Sequence, residues 1–255
     1  MRRALLALTF CALAIVAINL MSVFLDEDLE NFAIVLLDKG GVSYPYSVQN
    51  LMWIFFFLGL AEIINRFIDA RKERAQLSMG YLPEDEETLL VKENLPSIFK
   101  KTALIKDADN LFLPNMIKRI ITVFQTTNSV ENASAVLSSS LELRSHDLDL
   151  KYSILRYIMW VIPTFGFIGT VIGIALALAY AGEPDRAQDP LLLTHLTRKL
   201  AVAFNTTMVA LVMSAILVLV MNVVEAFEER ILNRCGQYCL DNLVNRLYRP
   251  ERSDD

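Results

Sequence analysis

Four stretches of about 20 mostly apolar residues, the length an α-helix needs to cross a hydrocarbon core of about 30 Å, constrain this chain more than any other feature. They span residues 4–25, 47–68, 154–181 and 200–227. Lipid offers no hydrogen bonds to backbone groups, so such stretches read as transmembrane helices. The first follows Arg2 and Arg3 and contains Ala12 and Ala14, the context of a cleaved signal peptide. Its length exceeds a signal h-region and favours a spanning helix. The second is interrupted by Glu62 and Arg66, four apart on one face, which are expected to pair where Arg snorkels at the membrane boundary.

Charge placement orients the set, because short cytoplasmic segments carry the excess of Lys and Arg. Segment 26–46 holds Asp26, Glu27, Asp28, Glu30 and Asp38 against Lys39 alone, and segment 182–199 holds Arg186 with Arg198 and Lys199 at its edge. Segment 69–153 carries eleven Lys and Arg, among them Arg71, Lys72, Arg74 and Lys151 beside the membrane, and segment 228–255 adds five Arg. The expected topology is N-in and C-in, with 26–46 and 182–199 periplasmic and 69–153 and 228–255 cytoplasmic. The expected fold class is an all-α membrane protein of four transmembrane helices, with a helical cytoplasmic domain inserted between the second and third.

Within the insertion, Leu111, Leu113, Ile117, Ile120, Ile121 and Phe124 recur at helical intervals, as do Val136, Leu137, Leu141 and Leu143. Pro83 and the acidic run 84–87 read as a solvated turn and helix start, with Pro96 and Pro114 as further breaks. No internal repeat is apparent.

The apolar share of 54% argues against an ordinary soluble enzyme, and a net charge of −5 gives no support to nucleic-acid binding. His146 and His195 fall on opposite sides of the membrane in this topology. Cys235 and Cys239 are four apart, but no third ligand is near, so no metal site is expected. No glycine-rich phosphate loop follows a strand pattern. The chain therefore reads as a non-enzyme without a cofactor.

The third and fourth stretches carry the specific signal. Gly166, Thr170, Gly173 and Ala177 fall at i, i+4, i+7 and i+11, on one helix face, and Ala203, Thr207, Ala210 and Ser214 repeat the same spacing. In lipid, small residues admit close backbone approach and hydroxyls bond across helices. Counted from the outer ends, Thr170 lies eleven residues deep, about 16 Å, and Thr207 seven, about 11 Å, so the hydroxyls are at comparable depth. Spacing alone supports a packing stripe and a polar ion track equally. The central parts of both stretches hold no ionisable residue, although an ion path normally needs one. If the protein conducts, something else must bring the carboxylate.

The segment Pro163-Thr-Phe-Gly166-Phe-Ile-Gly169-Thr170-Val-Ile-Gly173, followed after a loop by Ala201-Val-Ala-Phe-Asn205-Thr206-Thr207-Met-Val-Ala210, resembles the MotA/TolQ/ExbB proton-channel family over about 70 residues. Four spans with an insertion between the second and third are similar to the MotA-type stators. The resemblance implies a homo-pentameric ring in a bacterial inner membrane, embedded in lipid around two copies of a single-span partner of the MotB/TolR/ExbD kind that carries a membrane aspartate. It implies that Thr170, Thr207 and the adjacent Thr206 line the path of a transported ion, H+ or Na+. Pro163 falls on the family's helix-bending proline, while Gly166, Gly169, Gly173, Ala203, Ala210 and Ser214 permit close packing. Ile216 stands where several relatives have proline, and Val202 where ExbB-like members carry glutamate. Against this motor or energy-transducing channel stands a non-conducting membrane scaffold that recruits cytoplasmic proteins; a small-solute transporter is weaker, since no inverted repeat is visible.

Overall fold

The computed structural model describes residues 47–85, 88–104, 111–184 and 190–248, together with Thr9, Val16 and Leu36. The first apolar stretch therefore falls outside the described residues except at Thr9 and Val16, as does most of segment 26–46. Five helices follow in order: α1 Val48–Gln76, α2 Leu95–Ala103, α3 Phe112–Thr127, α4 Val130–Ala181 and α5 Leu192–Asn242, with a 3-10 turn at Val244–Arg246. No strand occurs among the described residues, where the only β pairing is an isolated bridge between Leu90 and Leu247. Three of these helices, α1, α4 and α5, are long and apolar enough to cross a membrane. With 52 and 51 residues, α4 and α5 far exceed the 20 or so a bilayer requires, so each continues as a polar helix beyond its apolar part.

The chain divides into two compact units, residues 1–65 with 152–223, and residues 66–151 with 224–255. The second unit has a conventional apolar core. On α3, Leu113, Ile117, Ile120, Ile121 and Phe124 are all buried, because their spacing keeps them on one face. On α4, Leu137 is buried but Leu143, two residues on from the partly buried Leu141, is 59% exposed, since a step of two turns a helical side chain away from the stripe. The turn between α3 and α4 is built from local chemistry. Asn128 takes the left-handed conformation at φ 51°, and the Ser129 hydroxyl accepts the Asn132 N–H at 3.1 Å as an N-cap.

The start of α3 is capped from afar. Leu111 at its N-cap offers no acceptor, and the Glu73 carboxylate on α1 takes the Phe112 N–H at 2.9 and 3.1 Å instead, with Arg144 of α4 3.7 Å from the same carboxylate. Arg66, expected beside Glu62, gives its Nη1 to both carboxylate oxygens of Glu228, 162 positions along the chain, at 3.0 and 3.3 Å.

One local expectation needs correction. Residues 83–85 and 88–90 are not helical, so no helix starts at Glu84 or Asp85; Glu86 and Glu87 lie outside the described residues. The segment is tied to the distant C-terminal region instead: the Arg246 guanidinium donates to the carbonyls of Pro83, Glu84 and Asp85, while Leu90 exchanges backbone hydrogen bonds with Arg246 and Tyr248. Pro96 and Pro114 each fall in the first turn of a helix, where a missing N–H is tolerated. Cys235 and Cys239 are buried in the core of this unit, on the polar continuation of α5, and burial pushes the Cys235 thiol up to about 12 and the Cys239 thiol up as well.

Candidate functional site: the α4–α5 contact

In the first unit the apolar parts of α4 and α5 run antiparallel along their small-residue stripes. A Cβ built on Gly166 would collide with the Ala210 methyl. One on Gly169 would lie 2.6 Å from the Thr206 methyl, and one on Gly173 2.5 Å from the Ala203 Cβ and 3.1 Å from its Cα. Glycine is required at these positions because backbone and methyl groups of α5 occupy the space a side chain would fill. Ala177, Ala203 and Ala210 are fully or almost fully buried.

Hydroxyls pair the helices along the same line. The Thr207 hydroxyl lies 2.9 Å from the Gly166 carbonyl and also within hydrogen-bond reach of the Thr170 hydroxyl. Thr170 Oγ1 is 3.1 Å from the Ala203 carbonyl and 3.2 Å from that of Gly166 in its own helix. Ser214 donates to the Met159 carbonyl at 3.0 Å. The three interhelical contacts keep one register: Ala203, Thr207 and Ser214 on α5 face Thr170, Gly166 and Met159 on α4. Each hydroxyl has a single hydrogen, and Thr170 and Thr207 both have more than one acceptor in reach, so their pattern can switch without any side chain moving far.

Thr206 stands apart from this pair. Its hydroxyl returns to the Val202 carbonyl in its own helix at 2.9 Å, and its methyl rests against Gly169. Pro163 lies inside α4 without ending it. The backbone carbonyls of Gly166, Ala203 and Met159 complete the polar line, and nothing in a pattern of side-chain types points to them. The proline gave a hint, because it frees a carbonyl four residues before it. Between residues 157 and 181 and between 200 and 224 there is no Asp, Glu, Lys, Arg or His. Among the described residues no group of three or more His, Cys, Asp or Glu converges as a metal site.

Two antiparallel helices in glycine-mediated contact, with paired threonines between them, thus meet in a segment without ionisable groups. Residues 105–237, just over half of the chain, match the family described as the MotA/TolQ/ExbB proton channel family. The chain belongs to the MotA/TolQ/ExbB family. The matched region covers α3, α4 and most of α5, including the whole α4–α5 contact. Membership in the MotA/TolQ/ExbB family makes this a membrane protein of the proton-channel class that serves energy transduction. No curated protein and no solved structure gives a match to the chain.

Proposed function

We propose that the chain is the ring-forming subunit of an ion-driven rotary motor or energy-transducing channel, not an enzyme, in a bacterial cytoplasmic membrane. Five copies, each with four spans and both termini inside, surround two copies of a single-span partner that carries a membrane aspartate. The observation that carries this reading is the Thr170–Thr207 hydroxyl pair within apolar helix segments, residues 157–181 and 200–224, that have no carboxylate of their own.

A hydroxyl both donates and accepts, so it serves a partner carboxylate in either protonation state. A carboxylate in apolar surroundings favours its neutral form, and polar neighbours or water favour the charged form, so moving past the threonines makes it take up or release a proton. The driving force is ample: about 2.3 kcal/mol per charge per 100 mV. The hydroxyls of Thr170, Thr207 and the adjacent Thr206, with the carbonyls of Gly166 and Ala203, are oxygen donors suited to a hard cation, so Na+ is a second candidate beside H+.

Thr207→Val tests the reading, because it keeps the shape and removes the hydroxyl. In vesicles holding the chain and its single-span partner, ion flux should collapse while the native mass of the complex stays that of five copies plus two. Unchanged flux would remove the hydroxyl from the mechanism. A monomer or dimer that never conducts would leave the scaffold reading in its place.

A further inference from the structure

Pro163 has no N–H, so the Met159 carbonyl four residues earlier loses its partner in the α4 ladder. In hydrocarbon such a group is satisfied by a neighbouring helix or by a hydroxyl, since water is absent. Ser214 of α5 supplies that hydrogen, at 3.0 Å from the Met159 oxygen. The adjacent carbonyl, Trp160, whose ladder bond a proline also weakens, accepts the Thr164 hydroxyl of its own helix at 2.9 Å. Serine and threonine in lipid commonly bond back to their own helix, as Thr206 does to Val202. Ser214 instead spends its one hydrogen across the interface, on the carbonyl the proline has freed.

The register gives this bond a consequence. Ser214 and Thr207 are seven residues apart on α5, and their acceptors Met159 and Gly166 are seven apart on α4. The two bonds fall on either side of Pro163, one four residues before it and one three residues after it. A proline weakens the helix between them, so the position of the Gly166 carbonyl relative to α5 is no longer set by α4 alone.

We propose that Ser214 is a positioning residue that replaces the backbone donor missing at Pro163, pins α4 to α5 below the weak point, and so holds Gly166 and Thr170 opposite Thr207. The functional half of this statement rests on the ion-path reading above; the structural half does not. Ser214 touches no ion in this scheme and acts through the alignment of the threonine pair.

A double-mutant cycle on the full chain in mild detergent tests it. Ser214→Ala should lower Tm by roughly 2–4 °C, the shift that loss of one buried hydrogen bond brings in a protein of this size. In a Pro163→Ala background Ser214→Ala should have no further effect, because an alanine in place of the proline gives the Met159 carbonyl a backbone N–H again. Equal losses in both backgrounds overturn the proposal. Should Pro163→Ala fail to assemble, Ser214→Thr and Ser214→Val decide. They have nearly the same shape, and only Thr should behave as wild type; equal behaviour overturns the proposal. With the single-span partner in vesicles, Ser214→Ala should reduce flux about three- to tenfold, the range for one interhelical hydrogen bond, and Ser214→Thr should restore it. Wild-type vesicles that conduct nothing would count against the ion path, with the Tm cycle still deciding Ser214. Conducting vesicles in which Ser214→Ala changes neither flux nor Tm would overturn the Ser214 proposal and leave the ion path standing.

Discussion

On α4 and α5 of the first unit the small residues Ala177, Ala203, Thr206 and Ala210 are buried together with Met159, Ile162, Met213 and Leu217, while Trp160, Phe167 and Leu178 are about two-thirds exposed. In the second unit Leu113, Ile117, Ile120 and Phe124 are inside, and the side chains lying toward the outside are charged, among them Lys72, Arg74 and Lys118. The same chain thus follows two burial rules. Where water surrounds a helix, removing apolar area from it is the main driving force, so large side chains go inward. Where hydrocarbon surrounds it, exposed Trp and Phe lose nothing, and helices associate through close van der Waals contact and hydrogen bonds, which favour small and hydroxylated residues.

This comparison can be broken from either side. Ile120→Ala removes a fully buried side chain from the second unit and should destabilise it by about 2–5 kcal/mol, a loss thermal or chaotrope unfolding would register. A shift under 1 kcal/mol would mean that this core is not close-packed. Gly166→Ala, an addition of one methyl, should destabilise the first unit by about 1–3 kcal/mol, because the new Cβ meets the Ala210 methyl and lies 3.3 Å from the Thr207 Cα. Ala210→Gly in that background should recover part of the loss. A neutral Gly166→Ala would disprove the close approach on which the hydroxyl pairing depends.

A smaller effect sharpens the contrast in how polar groups are satisfied. Glu73→Ala removes the remote cap of α3 and should destabilise by about 0.5–2 kcal/mol, and Leu111→Asp, which supplies a local acceptor, should recover most of it. The last test concerns the thiols. Cys235 is held neutral up to about 12, against an ordinary value of 9.0, and Cys239 is shifted the same way. Above pH 9 the unfolded chain ionises these thiols and the folded chain does not, so their contribution, complete below that pH, is lost as pH rises toward 12. Iodoacetamide at pH 8 should therefore label Cys235 and Cys239 only on unfolding, as read by mass spectrometry in a Cys11→Ser background; rapid labelling of the folded protein would show that they are not buried.

Legibility in the sequence tracked the range of the interaction involved. The α3 stripe and the apolar parts of α1, α4 and α5 depend on neighbours within a few residues, and periodicity expresses those directly. The helix start expected in the run 84–87 is not seen at Glu84 or Asp85, which are held instead by Arg246, some 160 residues away, a contact that no local pattern signals. The Arg66 bond to Glu228 on α5 is of the same long-range kind, and no local pattern signals it. Leu111 gave no sign of a cap, because its cap comes from another helix.

At the candidate site the same division holds. The spacing of Gly166, Thr170, Gly173 and of Ala203, Thr207, Ala210 is a property of the chain, since a helix of 3.6 residues per turn must align them on one face. So are the membrane character, the family motif and the absence of carboxylates. Which hydroxyl reaches which carbonyl is not: Thr207 to Gly166, Thr170 to Ala203 and Ser214 to Met159 follow from the antiparallel register of α4 against α5, which is set when glycines meet methyl groups along the whole contact. Backbone acceptors carry no residue-type signal, and a hydroxyl has several within rotamer reach. Only the packed pair of helices selects among them.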